Sequence, residues 1–298
     1  MLVDDILSLC SSDLTRPVLI AGPTASGKSS LALRIAQADG RAVVNADAIQ
    51  VYENWRILTA RPSPADETAA QHLLYGHVSG DQPYSVGTWL REVAPLLSMS
   101  PAPIIIGGTG LYFAALSTGL ADIPDTPAEI RAIAKARLDA GDLAEMVAEL
   151  DEDSRARLDT QNPMRVQRAW EVLQATGRGL AEWKTKNAPP ILPLARATAF
   201  VVDAPKEWLT PRIESRFDHM LEHGALEEAR TNLPTWSPDH PSSKAIGAAD
   251  LIAVLKDDMA LEEARNRATI ATRQFAKRQR TWFRARMTGW MRVIAPNL

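Results

Sequence analysis

Four short apolar runs stand out along the chain: VLIA at Val18–Ala21, the VVN core of RAVVNAD at 41–47, PIIIGG at 103–108 and AFVV at Ala199–Val202. Each is too short for a helix and runs into glycine or aspartate, the pattern of buried strands. The isoleucine run 104–106 offers no polar face, so it is predicted as a central parallel strand covered on both sides. Helical spacing separates these runs: SSLALRIA after Lys28, then Val86, Leu90, Val93 and Leu97 within 83–97. Further on, Leu209, Ile213, Phe217, Met220 and Leu221 share one helix face, and a long pattern extends from Leu261 to Met287. RPSP at 61–64 predicts a loop entering a short helix, and Pro211 predicts a kink or the true start of the helix around it. Strands alternating with helices predict an α/β fold with a parallel sheet flanked by helices. From Asp122 to Pro190 the strands stop. Ala-, Arg-, Glu- and Leu-rich helical sequence lies there between a DIPDTP loop and a KTKNAPPILP loop. This predicts a helical insertion domain at 122–190 within a core formed by 1–121 and 191–298.

The break between the first strand and the first helix carries the first chemistry. Gly22, Gly27, Lys28 and Ser29 match G-x-x-x-x-G-K-[ST], with a strand before and a helix after, which is the context a P-loop requires. The core is therefore expected to be P-loop NTPase-like. Glycines let the backbone wrap an anion, and the N–H groups of the loop and of the helix start face it. The span Gly22, Pro23, Thr24, Ala25, Ser26, Gly27, Lys28 and Ser29 is thus the candidate diphosphate cradle. Lys28 adds a full charge, and Ser29 is the candidate Mg²⁺ ligand, since that ion takes few protein oxygens beside substrate phosphates.

Three other positions depend on where strands end. Asp47 closes the second run, where ligands of open α/β sheets collect; position alone also suits a turn-capping aspartate. The third strand ends in Gly107 and Gly108 where an NTPase is expected to carry its Mg²⁺-holding aspartate, which argues against ATP hydrolysis. Thr109, between glycines, becomes a candidate hydrogen-bond donor to a reacting group. Arg212 and Arg216, four apart on one helix, either clamp a diphosphate or face solvent.

Composition narrows the class. With 46% hydrophobic and 23% charged residues, the 298-residue chain reads as globular, and its single cysteine, Cys10, excludes an intramolecular disulfide and a multi-cysteine zinc site. An acidic N-terminus and the lack of any run of membrane-spanning length predict a cytoplasmic protein, with a monomer as the default. The net charge of −3 hides a segregation: from Arg265 onward there are nine Lys/Arg and no Asp/Glu. Interleaved with Phe275, Trp282, Phe283 and Trp290, that block reads as a footprint for a nucleic-acid backbone, the aromatics themselves being expected in the core.

Assembled, these stretches resemble the tRNA dimethylallyltransferases, the isopentenyl-tRNA transferases of bacteria. GPTASGKS at 22–29, NADAIQVY at 45–52, TARP at 59–62, GGTGLY at 107–112 and NPMRVQRAWEVLQATG from Asn162 carry the likeness, with RIESRFDHML from Arg212, KAIG from Lys244 and TRQFAKRQRTWFR from Thr272. The resemblance implies transfer of a dimethylallyl group from dimethylallyl diphosphate to N6 of the adenosine 3′ of the anticodon, in tRNAs reading codons that begin with U. It implies Asp47 as general base, Lys28, Arg212 and Mg²⁺ at the leaving diphosphate, and Thr109 near the reacting centre. It further implies tRNA contacts at Asp47, Ala48, Ile49, Gln50, Thr109 and Arg131, and at Met164, Arg165, Val166, Gln167 and Arg168. Lys244 belongs with these by resemblance, while Arg273, Lys277 and Arg278 join them from the basic block. The chain departs from the family pattern at Ala48, usually serine, at Ala248–Asp250 and at 75–82. Two alternatives share parts of the pattern: an adenylate isopentenyltransferase acting on free AMP, ADP or ATP, and a P-loop nucleotide kinase. A non-catalytic RNA-binding ATPase would leave Asp47 and Thr109 without a role.

Overall fold

The computed structural model describes residues 1–185 and 188–297; Lys186 and Asn187, within the predicted KTKNAPPILP loop, and Leu298 lie outside the described residues. Contacts divide the chain into two compact units, 1–117 with 192–298 and 118–191.

Among the described residues the first unit is built on six strands, β1 (Val18–Ala21), β2 (Val43–Asn45), β3 (His72–Leu73), β4 (Ile104–Gly107), β5 (Thr198–Asp203) and β6 (Met291–Ile294). Their order is β3-β2-β4-β1-β5-β6 and every pairing is parallel. The predicted central strand lies between β2 and β1, as its unbroken isoleucines require. Helix α1 (Val3–Ser11) precedes the sheet; parallel neighbours need crossovers, to which α2 (Lys28–Asp39), α3 (Pro64–Ala69), α4 (Val86–Leu96) and α5 (Gly110–Thr118) contribute. After the helices of the second unit come α11 (Lys206–Glu222), α12 (Ala225–Asn232), α13 (Ala248–Leu255) and α14 (Leu261–Arg286).

Alternation along the strands builds two cores. Val18, Ile20, Ile104 and Ile106 face one side with Leu31 and Ile35 of α2 and Ile213 of α11. Leu19, Ala21 and Ile105 face the other with Trp89 of α4, Phe113 of α5 and Phe283 of α14. Strands β1 and β4 are thus apolar throughout because both of their faces are covered. A third, helical cluster joins Trp55, Leu58, Phe217 and Met220 to α12, α13 and α14.

Two features are left open or unmarked by the sequence. Helix α11 begins at Lys206, so Pro211 lies inside it rather than at its start. Strand β6 is absent from the hydrophobic pattern: MRVI contains an arginine, and of its four residues Val293 alone is buried, so an edge strand paired on one side leaves little apolar signal.

The second unit is helical: α6 (Ala128–Ala140), α7 (Leu143–Ala148), α8 (Glu152–Arg157), α9 (Pro163–Thr176) and α10 (Leu180–Trp183). Asn162 caps α9 by accepting the Arg165 N–H, Pro163 occupies its first turn, and Gly177 ends it at φ 68°. Ala134, Met146, Val166 and Trp170 form its core.

Candidate functional site

Because the strands are parallel, the loops leaving β1, β2 and β4 all emerge at the carboxyl edge of the sheet, where α/β folds bind ligands. The loop after β1 starts at Gly22, whose N–H donates to Gly107 O at 3.3 Å. A Cβ there would stand 2.9 Å from that of Val202, so a side chain does not fit. Ala25 (φ 61°) and Gly27 (φ 90°) take the left-handed form that folds successive peptides into an anion nest. The Ser26 hydroxyl is buried with no hydrogen-bond partner among the described residues, a group that an anion would satisfy.

Cations gather on this loop. The Lys28 ammonium donates to Pro23 O at 3.3 Å. Burial, together with the neighbouring Arg216 charge and against the pull of Asp47, brings its pKa down to about 8. Burial lowers Arg216 as well, again opposed by Asp47. Arg212 is turned differently: its Nε donates to Ala25 O at 3.2 Å and its guanidinium stacks 4.8 Å over Trp208.

Asp47 is held by its neighbours. Asn45, fully buried at the end of β2, accepts the Asp47 N–H at 2.8 Å and donates to the Asp47 carbonyl at 2.9 Å. Asp47 Oδ1 accepts the Ile49 N–H at 3.0 Å, leaving the other oxygen uncommitted in that turn. Thr109, at the start of α5, accepts the Ala48 N–H at 3.0 Å, so its own proton remains to be donated.

Two cavities meet here. The first, about 320 Å³, is lined on its polar side by Thr24, Lys28, Asp47, Gln50, Arg216 and Lys244. Its apolar wall comes from Leu58, Ile213, Phe217, Met220, Ile246 and Phe275. The second, about 570 Å³, lies over Ala25, Ser26, Gly27 and Ser29, with Arg212 and His219 opposite. Lys28 and Arg216 border both. The chemistry available is an anion cradle joined to a carboxylate and to an apolar pocket.

Arg216, which the sequence offers with Arg212 as an unranked pair, borders both cavities. Two further contributors are not singled out by the sequence. Gln279 of α14, buried, accepts the Thr24 N–H through Oε1 at 2.9 Å and donates from Nε2 to Gly108 O at 3.0 Å, tying the two glycine loops together. Glu228 of α12 accepts the N–H groups of Arg56, Ile57 and Leu58 at 2.6, 2.8 and 2.9 Å and so fixes the wall at Leu58. The quoted TRQFAKRQR stretch contains Gln279; Glu228 leaves no signal in the sequence.

The other candidates are placed as follows. Ile49 and Arg278 line the first cavity, and Arg278 packs 5.8 Å over the Phe275 ring. Lys277 is exposed, while Arg273 pairs with Glu214 at 3.3 Å. In the second unit Arg131 is exposed and so is Met164, by 62%. Arg165 lies 3.7 Å from Asp159, Gln167 donates to Glu171 and Arg168 donates to Thr126. Val166 is a correction: it is wholly buried in the core of that unit, because position 166 falls on the inward face of α9, and its side chain is not available to a nucleic acid.

No helix among the described residues is long and apolar enough to cross a membrane. The sequence profile described as IPP transferase matches residues 50–286, and one described as isopentenyl transferase matches 16–75. A protein of Dinoroseobacter shibae named tRNA dimethylallyltransferase is 60% identical over 290 residues, covering 96% of this chain and 97% of that one. One of the same name from Cereibacter sphaeroides is 59% identical over 281 residues, covering 94% and 90%. The crystal structure of the full-length tRNA isopentenylpyrophosphate transferase of Bacillus halodurans superposes with a TM-score of 0.65 at 26% identity, covering 94% of this chain and 90% of that one. Motifs, fold and relatives agree: the chain belongs to the IPP transferase family.

Proposed function

We propose that this protein transfers a dimethylallyl group from dimethylallyl diphosphate to N6 of the adenosine 3′ of the anticodon in tRNAs that read codons beginning with U. The observation that carries the reading is the first cavity, in which Lys28 and Arg216, the Asp47 carboxylate and an apolar wall share one space of about 320 Å³. An allylic diphosphate has those parts: an anion for the cations and a branched five-carbon tail for the wall. The names of the relatives support the same substrate and acceptor.

In this reading the N6 amine attacks the allylic carbon, a C–N bond forms, the C–O bond to diphosphate breaks, and the N6 proton passes to Asp47. Negative charge grows on the departing diphosphate, where the loop N–H groups, Lys28 and Arg216 stabilise it, with Arg212 bracing the loop at Ala25. Thr109 supplies a hydroxyl beside the Asp47 turn. The base reaches the cavity after leaving its stack, and the exposed Lys244, Lys277 and Arg278 offer charges for the RNA backbone. The insertion at 122–190 contributes Arg131 and the exposed residues of the 164–168 stretch to the anticodon stem-loop.

Magnesium fits the donors present. Among the described residues the second cavity is lined by hydroxyls, Ser29 included, and by no carboxylate, a set that suits an ion held mainly by diphosphate oxygens and water. Ser29 would hold it, and it would neutralise part of the diphosphate charge. The protein acts in the cytoplasm as a monomer.

The test is incubation with labelled dimethylallyl diphosphate and either unmodified tRNA or AMP. Label is expected in tRNA, at the adenosine 3′ of the anticodon. Label in AMP alone would replace this reading with an adenylate isopentenyltransferase, and ADP formed from AMP in a parallel incubation with ATP, without prenylation in the first, would replace it with a nucleotide kinase.

A further inference from the structure

The last turn of α11 presents a cluster that the reading above does not use. His219 and Glu222 lie in the last turn at i and i+3, and His223, at i+4, is the residue that caps the helix. One potential ligand atom from each lies within 4.8 Å of the others, and all three residues are exposed. We propose that these residues form a binding site for a divalent transition-metal ion of the zinc, nickel and copper group, separate from any magnesium at Ser29.

Geometry and donor chemistry both carry it. The imidazole rings already lie side by side, with centroids 3.7 Å apart. His223 Nδ1 is 2.8 Å from the His219 carbonyl oxygen, to which it donates. That bond fixes the tautomer, leaving Nε2 as a lone-pair ligand, the arrangement that metal-binding histidines use. Two imidazoles and one carboxylate are a donor set for zinc, nickel or copper rather than for magnesium. Around a four-coordinate ion with bonds of about 2.0–2.1 Å, ligand atoms stand about 3.4 Å apart, a closure within the rotamer freedom of three exposed side chains. The position is electrostatically suitable too: the helix C-terminus carries partial negative charge, and Glu222 adds a full one to offset Arg216 further back along the helix. A fourth coordination position stays open to water.

His219 also lines the second cavity, across from Ser26 and Ser29, so the site borders the diphosphate cradle without drawing on its loop. A metal there places an additional positive charge at the cavity rim.

The experiment is calorimetric titration of tag-free full-length protein, stripped with EDTA and desalted, with Zn²⁺ in the absence of magnesium and diphosphate. Saturation at one equivalent is expected, with a matching visible spectrum on loading Co²⁺. Affinity is expected to fall at least about tenfold in His223→Ala and in His219→Ala, the range in which even outer partners of metal ligands act. It is expected to be unchanged in His240→Ala, which removes an imidazole outside the cluster. The His219 and His223 side chains are exposed, so folding is not at issue in the two test variants. Absence of saturable one-to-one binding, or equal affinity in wild type and His223→Ala, overturns the proposal.

Discussion

Lys28 is the residue at which burial and charge oppose most directly. Desolvation and Arg216 bring its pKa down to about 8. A bound diphosphate favours the ammonium and raises that pKa. Binding is therefore at full strength below about pH 8, where the lysine is already charged, and weakens as pH rises above it, because a proton must be taken up. The affinity for dimethylallyl diphosphate without RNA is expected to be flat from about pH 6.5 to 7.5 and to fall by up to about tenfold per unit above about pH 8, whereas Lys28→Arg should remove that dependence. Asp47 permits a cleaner substitution. In Asp47→Asn the carboxamide would keep an oxygen for the Ile49 N–H, and Asn45 would still hold the backbone. That variant is expected to lower kcat by about 10²–10⁴ while the KM for dimethylallyl diphosphate changes little, as befits loss of a proton acceptor and not of a binding group. A matching fall in diphosphate affinity would assign Asp47 a binding role instead.

At the scale of elements, Gln279 joins α14 to both glycine loops. Gln279→Ala would leave the Thr24 N–H and the Gly108 carbonyl unmatched, at a cost of about 1–3 kcal/mol, read by urea unfolding of the full chain. A stability equal to wild type would show that water or a loop movement replaces both bonds. The parts legible in the sequence are those with local causes. VLIA before a glycine loop, RAVVNAD before Asp47 and the isoleucines before Gly107 each announce a strand end, and parallel pairing brings those ends to one edge. Helix spacing finds the buried face of α11, with Leu209, Ile213 and Phe217. It does not rank Arg212 against Arg216, since both lie beside that face and a difference of rotation decides which one borders both cavities. Val166 travels with its motif, although burial sets it apart from its exposed neighbours. Gln279 and Glu228 act across long stretches of chain, and periodicity is blind to such distances.

For the whole molecule, the informative quantity is the segregation of charge behind the net value of −3. The basic stretch from Arg265 is not uniformly available: Arg265 pairs with Asp218, Arg267 with Glu263 and Arg273 with Glu214, whereas Lys277 and Arg278 are exposed. If this stretch meets RNA phosphates, Lys277→Ala and Arg278→Ala should each reduce the slope of log affinity against log salt by about 0.7–0.9, and Arg273→Ala by less. Slopes unchanged in the first two would place those charges outside the RNA path. The bond from Gln279 to Thr24 also has a consequence in time. The two residues are 255 positions apart, and β1 takes β5 as a neighbour from a comparably distant part of the chain. A ribosome therefore releases the glycine loop long before the partners that set its shape exist. Through most of translation the nascent loop stands beside a half-built sheet, and the phosphate cradle is among the later features of the molecule to mature.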